Sequence, residues 1–505
     1  MGCRLVGRNF PKQRLPLLPS GTDAYRGMNI PETTSFSWMI FSIAVIAAIA
    51  TASHAIIHKR DPRSATIWLL VVALVPLGGS LCYLLFGINR VNRKAMRLRA
   101  ARPAKSELSN LGSAGMDLPP HLASLARLGR DVSGKELLPG NRCTPLFGGT
   151  EAYPQMLQAI CEAKHSIALA SYIFEGKGIG ALFVDTLAQA RSRGVSVKVL
   201  IDDAYARLSN SDAYGALRLH GIDVALFNPP VIPARLHGLH LRNHRKLLIV
   251  DGYRGFTGGM NIHRPYWCPK APESAFRDLH LEVSGPVVGQ MRETFERDWY
   301  DSKEEELDES FWTGKSGGPI TDGFSLARGI ESGPDETLDR MRWIFIGAIN
   351  AAQKKISIRT PYFLPDQPTI AALGAAALRG VRVEIVVPRN SDHLFVQWAS
   401  KAHYWQIIEH GVCIYERPGP FDHGKLMIID DAWVCVGSAN WDARSLRLNF
   451  EFNLEIYDRR LALELGDDFA RIRSASKKVR PTDLSDMPYF VKLRNGFARL
   501  FSPIL

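Results

Sequence analysis

Cysteine is scarce in this 505-residue chain, and none of it is patterned. The seven cysteines are scattered, with no C-x-x-C pair. Cys82, Cys413 and Cys435 sit in apolar runs, where a small buried hydrophobe is the default reading. A disulfide-stapled secreted domain is thereby excluded. Clustered carboxylates and the His/Cys spacings of metal ligands are also missing, so neither a metal nor a cofactor is expected. Acid is in deficit as well: 62 Lys and Arg face 50 Asp and Glu, a net charge of +12. Such a balance suits an anionic partner, whether nucleic acid, acidic lipid headgroups or an anionic membrane face. The length allows two or three domains.

Long uncharged runs are confined to the N-terminal part. Residues 36–57 carry no charge over about 22 positions, enough to span a bilayer as a helix. A signal peptide is the rival reading, but the run is long and lacks a small-x-small cleavage site. After HKRDPRS comes a second apolar stretch, residues 66–86, with Pro76 and Gly78-Gly79 inside it. The expectation is a two-helix transmembrane hairpin. Residues 1–33 form a basic extension without lipidation signals, and Met28 is an alternative start. Residues 87–140 form a juxtamembrane linker that opens with Arg90, Arg93, Lys94, Arg97, Arg99, Arg102 and Lys105, whereas the loop between the spans has only Lys59, Arg60 and Arg63. This bias predicts a multi-pass cell-membrane protein with both ends, and the catalytic part, on the cytoplasmic side.

The remainder is a duplication. HLRNHRKLLIVDGYRGFTGGMNI contains His244, Lys246, Asp251, Gly258, Gly259 and Asn261. About 180 residues later, at identical offsets, stand His423, Lys425, Asp430, Gly437, Ser438 and Asn440. Each copy reads as a strand, so His and Lys share a face while the Asp falls on the opposite parity beside a turn. The glycines admit a phosphate to the backbone, and the Asn side chains follow as donors. Upstream, KHSIALASYIF matches KKISIRTPYF; downstream, FRDLHLEV matches FEFNLEI. The last pairing sets Asp278 opposite Glu451, candidate carboxylates for orienting the histidines. Ordinary strand-end salt bridges are the competing account. Alternating helix and strand patterns give an α/β fold with halves at 141–318 (motif 237–264) and 319–505 (motif 417–444), joined by a Gly-rich segment near residue 315.

These residues resemble the phospholipase D superfamily, whose hallmark is two H-x-K-x4-D motifs meeting in one active site. The apolar N-terminal pair, SYIF, TPYFLP and GSANWDARSLRLNFEFN bring the match closer to its bacterial cardiolipin synthases. Gly259 departs from the family's usual Ser. The resemblance implies two α/β sandwich halves forming one site, with His244, Lys246, Asp251, His423, Lys425 and Asp430 as its catalytic motif. It assigns His244 as nucleophile and His423 as acid and base. Lys246, Lys425, Asn261 and Asn440 then hold the phosphate oxygens. Phosphatidylglycerol and other anionic phospholipids are the expected partners, without nucleic acid. The expected product is cardiolipin with glycerol. Hydrolysis, transfer to another alcohol, and a scaffold with a dead site stay open as alternatives. Arg444 has two readings, headgroup binding or bracing a carboxylate. The stretch Tyr266–Ser274, longer than its counterpart, reads as a surface loop or a lipid-lining one. The C-terminal segment reads equally as a surface helix on the membrane or a helix docked on the second half.

Overall fold

The computed structural model describes residues 32–59, 61–87, 118–208, 213–228, 241–312 and 323–502. The N-terminal extension, most of the basic linker, the Gly-rich joint, His237 and His240 lie outside them. The chain divides into two units, Met1–Asn89 and Arg90–Leu505.

In the first unit, α1 (Glu32–His58) contains an apolar stretch of 22 residues, Ser37–His58, long enough to cross a bilayer. The second expected span is not one helix. Pro76 lacks an N–H, and its ring excludes the carbonyl four residues back. The segment therefore divides into α2 (Pro62–Leu74) and α3 (Pro76–Cys82), which runs into a π turn at Tyr83–Gly87. These pieces still fold back on α1. His54 Nδ1 lies 2.8 Å from the Tyr83 hydroxyl, and the Trp68 ring meets Tyr83 edge-on at 5.2 Å. The expected hairpin thus exists as packing, but only its first arm is a single helix of spanning length.

The second unit is built on a 16-stranded mixed sheet. The first half supplies β1 (Leu138–Phe147), β2 (Ser166–Ser171), β3 (Ser196–Asp202), β4 (Asp223–Phe227), β5 (Arg242–Asn243), β6 (Leu247–Val250), β7 (Arg254–Gly258) and β8 (Leu279–Ser284). The second supplies β9 (Ser325–Ser332), β10 (Lys355–Arg359), β11 (Arg382–Pro388), β12 (Cys413–Arg417), β13 (Leu426–Ile429), β14 (Trp433–Gly437), β15 (Asn449–Tyr457) and β16 (Lys477–Lys478). The order is β16-β12-β11-β10-β13-β14-β15-β9-β1-β8-β7-β6-β2-β3-β4, with β5 beside β15. The duplication is visible in it: β2-β3-β4 and β10-β11-β12 are parallel, while β6-β7-β8 and β13-β14-β15 are antiparallel. Parallel neighbours need crossovers, and α4 (Ile179–Ser192) and α6 (Gln367–Leu378) provide equivalent ones.

Strand alternation divides the apolar residues between cores. Leu247 and Ile249 face a core shared with Leu426 and Ile428 of the other half, filled by α5 (Val287–Lys303) and α8 (Arg459–Ser474). Leu248 and Val250 face an outer core of the first half, Met427 and Ile429 one of the second. The shared core, with Phe295, Trp299 and Leu465 fully buried, holds the halves together by removing apolar surface from water.

The C-terminal helix α9 (Tyr489–Arg499) is docked on the second half. One side docks on α7 (Leu394–Lys401), burying Asn495 and Ala498 and stacking Arg494 on the Trp398 ring at 4.4 Å. Its other side is open.

Candidate active site

The two motif histidines precede their strands instead of lying in them: β6 begins at Leu247 and β13 at Leu426. In that extended approach each lysine turns back on its own motif. Lys246 Nζ donates to the His244 carbonyl at 2.5 Å, and Lys425 Nζ to the His423 carbonyl at 2.6 Å. The histidines are fixed from across the molecule. The His244 N–H donates to the Phe450 carbonyl at 2.9 Å, and the His423 N–H to the Arg277 carbonyl at 2.8 Å. The side chains repeat this exchange. His244 Nδ1 lies 3.0 Å from Glu451 Oε2, and His423 Nδ1 2.8 Å from Asp278 Oδ2. Each half therefore supplies the carboxylate that orients the other half's imidazole. With Nδ1 held, Nε2 is the ring nitrogen left for chemistry. Both rings line one cavity of about 460 Å³, with Asn261 and Asn440 in its wall. Asn261 Oδ1 is taken by the Ile173 N–H at 3.1 Å, and Asn440 Oδ1 is buried without a partner among the described residues.

Burial sets the electrostatics. It lowers Lys246 to about 7, against the pull of Glu451, and Lys425 to about 8, against Asp278 and Glu451. Burial also lowers His244, although Glu451 opposes it. His423 is pushed further down by burial, by both lysines and by His244. The carboxylates diverge. Burial raises Asp278 to about 6, whereas at Glu451 burial is outweighed by His244, Lys246 and the Ser438 hydroxyl, and the group stays below its ordinary value.

Asp251 and Asp430 do not join this cluster, which corrects their place in the catalytic set and agrees with their strand parity. Both adopt positive φ, near 50°. The Asp251 carboxylate accepts the backbone N–H groups of Lys164, His165 and Ser166, and Asp430 those of Gln353, Lys354 and Lys355. They tie the end of each motif strand to the start of its antiparallel neighbour, β6 to β2 and β13 to β10.

Three tyrosines complete the site. The Tyr172 ring lies 5.0 Å from that of His244, and the Tyr362 ring 6.4 Å from that of His423. They fall in the matched stretches SYIF and TPYF, which were their signal, but at different places: Phe174 and Phe363 are equivalent, so Tyr362 corresponds to Ile173. Tyr266 had no such signal. It opens the longer loop, is buried, and sets its hydroxyl 3.0 Å from His423 Nδ1, while Pro272–Ser274 are on the surface. Arg444 lines the cavity without an ion-pair partner among the described residues. Ser445, beside it, donates its N–H to Asp442. His393 also lines the cavity. Among the described residues no group of three or more His, Cys, Asp or Glu is arranged to hold a metal ion.

Comparison with known proteins places this geometry. The profile of the family described as cardiolipin synthase, PLD-like domain, matches residues 156–299 and 345–473. That of the phospholipase D-nuclease N-terminal family matches residues 40–87. A cardiolipin synthase of Alkalihalophilus pseudofirmus is 30% identical over 98% of this chain and 100% of its own length. The major cardiolipin synthase ClsA of Bacillus subtilis is 31% identical over 93% of this chain and 100% of its own. A crystal structure of phosphatidylserine synthase from Haemophilus influenzae Rd KW20 superposes with a TM-score of 0.60 at 17% identity, over 75% of this chain and 100% of that one, which establishes a shared fold. With the duplicated motifs inside the matched segments and relatives of equal length covering both units, the chain belongs to the PLD-like cardiolipin synthase family and is an enzyme of that family.

Proposed function

We propose that the protein makes cardiolipin and glycerol from two molecules of phosphatidylglycerol, through a covalent phosphohistidine. The observation that carries this reading is the pair of imidazoles in one cavity, each held at Nδ1 by a buried carboxylate. His244 Nε2 attacks phosphorus, and the bond from phosphorus to the glycerol oxygen breaks. His423, cationic once the charge of the bound phosphate diester offsets the two lysines, gives its Nε2 proton to that oxygen, and glycerol leaves. A hydroxyl of the second phosphatidylglycerol headgroup then returns a proton to His423. Its oxygen attacks phosphorus, and the bond to His244 breaks. Lys246, Lys425, Asn261 and Asn440 offset the charge that grows on the non-bridging oxygens. Glu451 stays ionised beside His244, which favours the cationic phosphohistidine and supports His244 as the nucleophile.

The same proposal places the enzyme at the cell membrane with its catalytic half-pair on the cytoplasmic side. The Lys/Arg bias around the apolar helices supports it. The test is incubation of the native protein, His244→Ala and His423→Ala with labelled phosphatidylglycerol. Cardiolipin and glycerol are expected from the native protein, and at least about a 10⁴-fold loss from either variant. Phosphatidic acid as the sole product replaces the synthase with a hydrolase. Phosphoenzyme trapped on His423 instead of His244 reverses the two roles.

A further inference from the structure

The open side of α9 is apolar. Tyr489, Phe490, Leu493, Phe497 and Leu500 are each more than half exposed. They recur at the three- and four-residue spacing of one helical face. A face of this size on a protein in water marks an interaction site. Its chemistry narrows the partner. From Tyr489 to Leu505 the chain has Lys492, Arg494 and Arg499 and no acidic residue. Arg499 has no ion-pair partner among the described residues. Between α9 and the helices beneath it lies a groove of about 550 Å³. Trp405, Ile408 and Leu484 give it apolar walls, and Lys401, Lys492 and Arg499 stand in the same lining, with Glu409 as the acidic exception. Apolar depth beside cationic side chains matches an anionic phospholipid layer, with acyl carbons below and phosphates above.

The face is also continuous with the catalytic cavity. Phe497 packs against Phe501 at 5.3 Å, and Phe501 against Phe395 of α7 at 5.5 Å. The next residue of α7, Val396, lines the cavity, as does His393 just before that helix.

We infer that α9 is an interfacial helix: its apolar face lies in the headgroup layer of an anionic bilayer, and through α7 it brings the catalytic cavity to the lipid surface. The inference deepens the proposed function, since it says how a lipid headgroup reaches the histidines without leaving the bilayer. Two readouts on the full-length protein in bilayers test it. The first is contact. A nitroxide on Leu493→Cys, in a chain whose native cysteines are replaced by serine, is expected to be accessible to oxygen and shielded from a water-soluble nickel reagent. Equal accessibility to both, as at a freely hydrated surface residue, overturns the inference. This readout holds whatever reaction the enzyme catalyses, so failure of the cardiolipin reading is seen separately. The second is kinetic, with Phe490→Asp/Leu493→Glu. On vesicles of phosphatidylglycerol the rate is expected to fall about tenfold or more, through KM. On monomeric dihexanoyl-phosphatidylglycerol the loss is expected to be several-fold smaller. Equal losses on both substrates make α9 a merely structural helix and overturn the inference, as does no loss on vesicles.

Discussion

The two halves present the same motif in different surroundings. At His244 the partner Glu451 takes three side-chain donors: His244, Ser438 Oγ at 2.5 Å and Asn449 Nδ2 at 3.2 Å. At His423 the partner Asp278 has its own Leu279 N–H at 2.8 Å and no serine, because Gly259 stands where Ser438 stands in the other copy. A Cβ at Gly259 would run into the Asp278 carboxylate. Tyr266 takes up the space around this second pair and has no counterpart at His244. Duplication thus preserved the chemistry while the carboxylates were tuned apart, one kept ionised and one raised to about 6. Groups whose surroundings separate their protonation are the usual sign of separate roles in acid–base work.

Three experiments bear on this difference. The largest effect is expected from the carboxylates. Asp278→Asn and Glu451→Gln should each cost about 10²–10⁴ in kcat, since the imidazole loses its orienting partner. Only Glu451→Gln should also lower the melting temperature, because its amide must face donors already placed at Ser438 and Asn449. Equal melting points for the two would remove the asymmetry. Next come the swaps. Gly259→Ser displaces Asp278 and should approach the Asp278→Asn rate, about 100-fold down. Ser438→Gly removes one charge-assisted hydrogen bond, worth about 1.5–3 kcal/mol, of which only part reaches the transition state; about a tenfold loss is expected. Comparable losses from the two swaps would make the halves interchangeable. The smallest effect is on pH dependence. As pH falls through about 6, Asp278 takes a proton and His423 loses its anionic partner, so kcat/KM declines. As pH rises through about 7 to 8, Lys246 and then Lys425 lose theirs, and phosphate binding declines. The expected profile is a bell whose acid limb disappears in Asp278→Asn; an acid limb that survives in that variant assigns it to another group.

Much of this was legible in the chain. Matched offsets gave the duplication, the two histidines and lysines, and both carboxylates, because a repeated unit must repeat its strand pattern. Parity alone moved Asp251 and Asp430 away from the reaction centre, and their backbone contacts agree. Pro76 was visible inside the second apolar span, but its effect was not: the structure divides the helix there into two pieces. Tyr266 was hidden because a loop without a counterpart carries no repeat signal.

Which side chains recur in the two motifs was therefore written in local order, since residue type and spacing within a strand fix which side chains share a face. Which groups meet was not. Glu451 follows His423 in sequence yet serves His244, and Asp278 follows His244 yet serves His423. That exchange follows from β5 pairing with β15 and from the Arg277–Asp422 bridge, contacts between segments far apart in the chain. Register across such distances is set by the fit of two buried faces, and only the packed core the halves share decides it.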